Sequence, residues 1–181
     1  ISKDGKDRPV TNNPEGVLAG QAIARYEFGI TKGTFWNEAG TKLAFYQKDE
    51  RHVTDYPLVE YGSTPAKLKN IKYPMAGSES EYASVGVYDV NSGKTIYLDF
   101  QRLKNDEFYA TNLSWSPDGR FVYVAVVTRN QNQMILQSFN AGTGQLEKVL
   151  FQENDQKYVE PEHPMYFIPG KNEFLWISEK D

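Results

Sequence analysis

The sequence has 181 residues, of which 14% are aromatic, with a net charge of -4 at pH 7 and no cysteine. The lack of thiols excludes disulfides, thiolate zinc sites and cysteine nucleophiles, and the scattered Lys and Arg residues lack the basic stripe of a nucleic-acid surface, so no nucleic-acid partner is predicted. No apolar run approaches the roughly 20 residues of a membrane-spanning helix, while the aromatic-rich pattern with almost no helical periodicity favours an all-β fold.

The two ends of the chain read as interrupted strands. Residues 1–16 start without Met in a strand stub, turn at Asp4-Gly5 and continue through Pro9-Val10-Thr11 into a loop. Residues 174–181 read as an apolar strand that enters a turn without a partner strand. We therefore expect the chain to be a piece of a longer protein.

The first hairpin is predicted over residues 34–46. A strand ends at Trp36, the turn 37–40 closes on a Gly, and a second strand covers 43–46. Gly suits the last turn position because a positive φ there costs other residues more. Just ahead of the hairpin, residues 22–26 contain no Gly or Pro, which permits one short helical turn.

A polar excursion follows at residues 50–77. Within it, residues 57–61 read as a strand and residues 71–74 as a further extended piece. Prolines at positions 57, 65 and 74 argue against a helix in this stretch.

Four more hairpins are predicted along the chain, at 83–90 with 95–98, 113–116 with 121–126, 134–140 with 145–150, and 165–168 with 174–177. Three segments repeat one pattern, aromatic residue, turn with Gly, apolar strand: FWNEAGTKLAFY, LSWSPDGRFVYVAV and MYFIPGKNEFLWIS. Repeats of four strands are typical of β-propeller blades. The sequence predicts part of a β-propeller, with about two and a half to three blades of a larger ring; a two-sheet sandwich is the alternative.

Motifs for catalysis and cofactors are absent from the sequence. It contains no G-x-S-x-G nucleophile elbow, no P-loop and no G-x-G-x-x-G fingerprint. His52 and His163 lie far apart and neither has the spacing of a metal ligand. We expect neither a metal nor a cofactor.

Glu27 is the residue that chemistry alone singles out. It follows Arg25 and Tyr26 and precedes Phe28-Gly29, so that a carboxylate lies beside aromatic rings at a segment boundary. Such a carboxylate can bind an ammonium group through charge-assisted hydrogen bonds. The alternatives are an ion pair between Arg25 and Glu27 or a plain solvated charge.

A set of motifs in one order carries a family resemblance: YEFGI at 26–30, FW at 35–36, LAF at 43–45, PLVEY at 57–61, YPMAG at 73–77, WSPDG at 115–119 and EPEHP at 160–164. In this order the chain resembles the dipeptidyl peptidase IV family, and its bacterial, Bacteroidetes-type members above all. The family implies serine exopeptidases with an N-terminal eight-bladed propeller and a catalytic α/β-hydrolase domain. Residues 1–181 are then a fragment of the propeller domain.

The resemblance also implies roles for single residues. In the family a short helix carries a Glu-Glu pair that holds the free α-amino group of the substrate; Glu27 matches the second position, whereas Tyr26 occupies the first. This departure leaves open whether dipeptides or tripeptides are released. Tyr158, followed by Val159, falls near the pocket for the penultimate side chain, or is a buried aromatic residue of a strand.

Further expectations concern the complete protein. The resemblance places the catalytic Ser, Asp and His beyond Asp181, and an Arg that contacts the substrate backbone before Ile1, so the chain alone should hydrolyse nothing. One partner would be a peptide substrate with a free N-terminus, from which the complete protein would release a di- or tripeptide after Pro or Ala. The other would be the catalytic domain of the same chain. The excursion at 50–77 resembles an insertion that the family sometimes uses in dimerisation, which implies a homodimer contact. A periplasmic, cell-envelope or secreted bacterial location is expected. The alternative is a non-catalytic propeller that binds proteins.

Overall fold

The computed structural model describes residues 1–3, 5–100, 107–171 and 173–178. In this part of the chain the regular structure is almost entirely β, as the sequence predicts. The strands are β1 (Ser2–Lys3), β2 (Lys6–Asp7), β3 (Val17–Ala19), β4 (Thr34–Trp36), β5 (Lys42–Asp49), β6 (Asp55–Glu60), β7 (Lys67–Lys72), β8 (Tyr82–Asp89), β9 (Lys94–Tyr97), β10 (Phe108–Trp115), β11 (Phe121–Thr128), β12 (Gln133–Asn140), β13 (Leu146–Asn154), β14 (Tyr166–Phe167) and β15 (Phe174–Leu175), and a 3-10 turn covers Ala24–Tyr26.

The strands form two main antiparallel sheets. In sheet I, β3 and β4 both pair with β5, which is followed by β8 and β9; sheet II is the meander β10-β11-β12-β13. Two-stranded ladders join β1 to β2, β6 to β7 and β14 to β15. All five predicted hairpins are confirmed, as β4-β5, β8-β9, β10-β11, β12-β13 and β14-β15. Two consecutive four-strand units are the arrangement expected of propeller blades.

The first strand of sheet I is interrupted. β3 pairs with residues 47–49 of β5 and β4 pairs with residues 43–45. Between them, Gly20 N–H donates to the Tyr46 carbonyl at 2.8 Å, and Tyr46 N–H donates to the Gly33 carbonyl at 2.9 Å. Residues 21–32 therefore leave the sheet opposite Tyr46 and return to it opposite the same residue. We call residues 21–32 the Glu27 insertion.

A glycine allows the two ends of this insertion to meet. A Cβ on Gly33 would lie 2.2 Å from the carbonyl oxygen of Gln21. No side chain fits at that distance, so the close backbone approach requires Gly.

The two sheets share one apolar core. Its fully buried side chains come from β5 and β8 of sheet I and from the central strands of sheet II, among them Tyr46, Val85, Val124, Val126 and Leu136. Burial of one such side chain contributes roughly 1.5–3 kcal/mol. A hydrogen bond also joins the two sheets: Trp115 Nε1 donates to the Phe35 carbonyl at 2.9 Å. The repeated aromatic residue of the β10-β11 hairpin therefore binds the backbone of the β4-β5 hairpin, next to that hairpin's own repeated aromatic residue, Trp36.

The excursion at 50–77 contains a projecting hairpin, which we call the arm (residues 55–72). The predicted strand at 57–61 overlaps β6, and the extended piece predicted at 71–74 overlaps only the end of β7, which stops at Lys72. The two strands pair from Asp55 with Lys72 to Glu60 with Lys67. Apolar side chains remain exposed along it, including Tyr56, Leu58, Val59, Tyr61 and Leu68. Such a surface is unusual for a chain that functions alone.

The turn of the β10-β11 hairpin holds an ionised carboxylate. Asp118 accepts hydrogen bonds from Ser116 Oγ at 2.6 Å, from Arg120 N–H at 3.0 Å and from Arg120 Nε at 2.6 Å. These donors, the Ser116 hydroxyl foremost, lower the pKa of Asp118 to about 2. Protonation of Asp118 must therefore weaken the turn.

We expect this carboxylate to make stability depend on pH. Its pKa is depressed in the folded state from an unfolded value near 4, so its contribution is complete above about pH 4 and is lost as the pH falls toward 2. Because the Asp118 side chain is 46% exposed and its interactions are screened by solvent, the free energy of unfolding should fall by up to about 1 kcal/mol. Denaturant unfolding of the complete protein at pH 5 and pH 2.5 should show a smaller loss in Asp118→Asn than in the wild type. An identical pH dependence in the two proteins would contradict this role.

Candidate functional site

The Glu27 insertion combines a buried base with an exposed tip. Ile23, Phe28 and Ile30 are 2%, 3% and 5% exposed and belong to the shared core, whereas Arg25, Tyr26 and Glu27 are exposed. Apolar side chains on both sides of the tip therefore fix the insertion to the protein. The carboxylate of Glu27 is presented to solvent on an anchored segment.

The tip is a left-handed turn. The short helical turn predicted within residues 22–26 is present as a 3-10 turn over Ala24–Tyr26, but φ is +50° at Ala24, +52° at Arg25 and +69° at Tyr26. Tyr26 N–H donates to Ile23 and Glu27 N–H to Ala24, at 3.2 and 2.9 Å. A left-handed conformation costs roughly 1–2 kcal/mol for each residue with a side chain. Contacts elsewhere must offset that cost.

Two contacts hold this turn from the base of the arm. Glu81 Oε1 accepts the Ala24 N–H at 3.0 Å. The Arg25 guanidinium donates to the carbonyl of Lys72 and lies over the Tyr73 ring, 4.6 Å from its centroid. Arg25 is thus directed toward β7. The alternative of an ion pair between Arg25 and Glu27 is not found among the described contacts.

The charge of Glu81 is itself balanced. Lys48 Nζ lies 3.6 Å from Glu81 Oε2 and 3.2 Å from Glu50 Oε2, and the side chains of the three residues are only 9–17% exposed. A cavity of about 310 Å³ borders this group and the turn; it is lined by Gln21, Ala22, Arg25, Tyr26, Lys48 and Glu81. Sequence reasoning missed Glu81 and Lys48, because no local motif marks residues that support a turn from another part of the chain.

Glu27 has no protein partner for its carboxylate within the described residues. An exposed carboxylate on an anchored turn, without an internal cation, is chemically suited to bind an ammonium group. Tyr26 is 70% exposed next to it. The tip therefore offers one anionic and one aromatic group side by side.

Tyr158 lies in a loop after β13 and is 67% exposed. The alternative of a buried strand aromatic is wrong, since the buried position is taken by Val159, which is 5% exposed. We call residues 155–165 the Tyr158 loop. It contacts the Glu27 insertion closely, because a Cβ on Gly29 would lie 2.0 Å from the Glu162 carbonyl oxygen.

The Tyr158 loop is also tied to sheet II. Asn112, at a bulge in β10 with φ of +52°, donates through Nδ2 to the Pro161 carbonyl at 2.6 Å. Val159 N–H donates to the Gln131 carbonyl at 2.6 Å. The fold therefore brings the segments of Glu27 and Tyr158, far apart in the sequence, into contact with each other at Gly29 and Glu162.

Other candidate chemistry is sparse. His52 forms a hydrogen bond with the Ser80 carbonyl at 2.7 Å and stacks on Tyr82, with ring centroids 4.2 Å apart, whereas His163 is exposed on the Tyr158 loop. Among the described residues, no group of three or more His, Cys, Asp and Glu side chains could hold a metal ion. A search of the same residues finds no helix with the length and hydropathy needed to cross a membrane.

Comparison with known proteins gives a consistent picture. The family model for the dipeptidyl peptidase IV (DPP IV) N-terminal region matches residues 1–181. A probable dipeptidyl-aminopeptidase B of Emericella nidulans is 27% identical over 191 residues, covering 94% of this chain and 20% of that protein. A probable dipeptidyl-aminopeptidase B of Neurospora crassa is 25% identical over 186 residues, covering 94% of this chain and 19% of that protein.

Two solved structures are also similar. A candidate dipeptidyl aminopeptidase IV of Bacteroides ovatus superposes with a TM-score of 0.91 and 44% identity, covering 97% of this chain and 25% of that one. Dipeptidyl peptidase 4 of Porphyromonas gingivalis gives a TM-score of 0.81 at 24% identity, covering 100% of this chain and 25% of that one. The latter likeness concerns the fold and confirms the prediction of a β-propeller segment over the sandwich. The chain spans about a fifth of the length of these curated relatives.

Proposed function

Because the chain belongs to the dipeptidyl peptidase IV N-terminal region family, we propose that it is the propeller segment of a DPP-IV-like serine exopeptidase. In this proposal Glu27 binds the free N-terminus of peptide substrates, and the propeller gates their access to a separate α/β-hydrolase domain of the same protein. That domain supplies the catalytic Ser, Asp and His. The complete protein releases N-terminal di- or tripeptides, after Pro or Ala.

One observation carries the proposal: the Glu27 carboxylate is exposed, fixed on an anchored turn and without a cation partner among the described residues. A substrate ammonium group supplies the missing countercharge. Because a fixed carboxylate holds the substrate by its first atom, it sets the distance from the N-terminus to the bond that is cleaved. This geometry favours removal of a short N-terminal unit over cleavage at internal positions.

Two tyrosines are proposed as neighbouring contacts. Tyr26 is adjacent to Glu27 and exposed, and Tyr158 is exposed on the loop that packs against the insertion. Their rings offer apolar faces for the first side chains of a peptide. Since Tyr26 replaces the first carboxylate of the family pair, a single ionic contact holds the amine here, and we propose that side-chain contacts contribute more of the binding.

The test uses the complete protein and matched peptides. We expect cleavage of Xaa-Pro and Xaa-Ala substrates with a free amine, at least about 30-fold slower cleavage of their N-acetylated forms, and labelling by a fluorophosphonate probe for activated serines. Equal rates for free and acetylated peptides would refute amine anchoring. A protein that neither reacts with the probe nor cleaves peptides would instead support a protein-binding propeller.

We also propose that the arm contacts a second copy of the protein. Val59 and Leu68 are directly paired across β6 and β7 and are 51% and 68% exposed, so they form one apolar patch. Apolar surface of this kind is commonly covered by a partner. Two such arms related by a two-fold axis would bury each other.

Charges on this patch should therefore separate the dimer. We expect Val59→Glu with Leu68→Glu to raise the dimer dissociation constant at least about tenfold, because ionised carboxylates cannot be buried against apolar surface. Val149→Glu is the control, since this exposed side chain lies on β13 of sheet II. Sedimentation velocity of the complete protein measures the change. A dimer that survives in the arm variant would exclude the arm as its interface.

For the complete protein we propose an exported location, in the periplasm, at the cell envelope or outside a bacterium. Short peptides with free N-termini would be available as substrates there. The cysteine-free sequence is compatible with an oxidising compartment. Fractionation of the source cells with an antibody against the chain tests this, and recovery in the cytoplasm alone would contradict it.

A further inference from the structure

The Glu27 turn is unfavourable by itself. Residues 24–26 all have positive φ and none is Gly or Asn, the residues that tolerate this conformation best. The apolar base of the insertion fixes Ile23 and Phe28 but not the direction of the turn between them. Groups that contact the turn directly must therefore select its conformation.

Glu81 is placed to do so. Its carboxylate accepts the Ala24 N–H, the first amide of the turn, at 3.0 Å. It is mostly buried, with a side-chain exposure of 9%, and Lys48 balances its charge. A carboxylate held in this way forms a stronger hydrogen bond than a neutral acceptor does. Without it, the Ala24 N–H has no acceptor among the described contacts.

Arg25 supplies the second contact, with the last residue of the arm and the residue that follows it. Its guanidinium donates to the Lys72 carbonyl and lies over the Tyr73 ring. Lys72 is in turn held by Asp55 at 3.1 Å and by the Val53 carbonyl at 2.9 Å. The turn is thereby bound by Lys72, the last residue of the arm, by Tyr73 next to it, and by Glu81 just before β8.

We propose that Glu81 is a positioning residue for Glu27: it selects the left-handed turn that directs the Glu27 carboxylate toward the substrate amine, and Arg25 stabilises the same conformation by binding to the arm. Glu81 itself does not contact substrate. This inference rests on the proposed function for its catalytic consequence, but its structural part is independent of any activity.

The structural part is tested by hydrogen exchange and mass spectrometry on the complete protein. We expect Glu81→Ala to accelerate exchange at least about tenfold in peptides covering residues 22–30, and Glu81→Gln, which keeps an acceptor oxygen, to accelerate it less. Peptides from β11 and β12 should be unchanged in both. The control is Glu79→Ala, an exposed residue of the same loop with no described bond to the turn. Unchanged exchange in Glu81→Ala, or equal acceleration in Glu79→Ala, would overturn the proposal.

The catalytic part is tested by combining variants. We expect Glu81→Ala to raise KM and lower kcat/KM about 10- to 100-fold, the penalty for a displaced binding group, with partial rescue in Glu81→Gln. In a background of Glu27→Gln the same change should have little further effect, because the group that Glu81 positions is already lost. Full additivity would refute the positioning role. If Glu27→Gln alone leaves kcat/KM unchanged, the proposed function fails, while hydrogen exchange still decides what Glu81 does.

Discussion

Replacement of Glu27 by Gln in the complete protein is expected to lower kcat/KM for peptides with a free N-terminus roughly 30-fold to several thousand-fold. Loss of one partner from a desolvated ammonium–carboxylate contact costs about 2–5 kcal/mol. Gln keeps the size and an acceptor oxygen of Glu27 but not the charge, so the change isolates the ionic part of the contact. Most of the effect should appear in KM, because the amine is bound in the ground state as well as in the transition state.

The measurement needs controls on both the protein and the substrate. Glu38→Gln neutralises another exposed carboxylate in a turn of sheet I and should leave kcat/KM within about twofold, as expected of a surface charge. With N-acetylated substrates, the difference between the wild type and Glu27→Gln should disappear, since no ammonium is present. An unchanged kcat/KM for free peptides in Glu27→Gln would exclude Glu27 from amine binding.

The hairpins could be predicted because each is encoded locally. The Asn37 side chain, for example, accepts the N–H groups of Thr41 and Lys42, both at 2.9 Å, and Gly40 completes the turn with φ of +63°. Turn residues and the alternating strands that flank them lie within about a dozen positions of one another. The same local rules predict the hairpin that contains Asp118.

The left-handed backbone conformation of the Glu27 turn could not be predicted from such local rules. Ala24, Arg25 and Tyr26 have no intrinsic preference for positive φ, and the acceptors that stabilise the turn lie 57 positions away for Ala24 and 47 for Arg25. The sequence identifies Glu27 as a candidate but not the residues that orient it. A candidate binding carboxylate on a costly turn is the kind of site at which local rules are expected to fail.

Burial could not be predicted where a strand ends. The sequence permits Tyr158 as a pocket residue or as a buried strand aromatic, but β13 ends at Asn154 and the chain continues as a loop. Val159 enters the core in its place. Strand ends are set by pairing with β12, which depends on register across the sheet and not on the residue that follows. The consequence is favourable to the proposed site, because an exposed ring remains available to a ligand.

The packing of the Tyr158 loop on the Glu27 insertion depends on Gly29, and Gly29→Ala is expected to be strongly disruptive. Gly29 has φ of +65°, and a Cβ would lie 2.0 Å from the Glu162 carbonyl oxygen. Gly40 has nearly the same φ, +63°, but no atom within 4 Å of a Cβ. Gly40→Ala therefore measures the conformational cost alone, about 1–2 kcal/mol.

The difference between the two variants isolates the contact between the loops. We expect Gly29→Ala to lower the free energy of unfolding by at least about 2 kcal/mol more than Gly40→Ala, since neither backbone can yield without breaking other bonds; on the loop side, Asn112 already holds the Pro161 carbonyl. Denaturant unfolding of the complete protein gives both values, and equal losses would show that the loops do not pack as described. If the two loops separate in Gly29→Ala, the variant keeps part of its free energy of unfolding. Its kcat/KM then falls, and hydrogen exchange accelerates in both residues 22–30 and residues 155–165. A larger loss of stability in Gly29→Ala, or separation of the two loops, would tie the position of the Glu27 segment to a contact that only glycine permits.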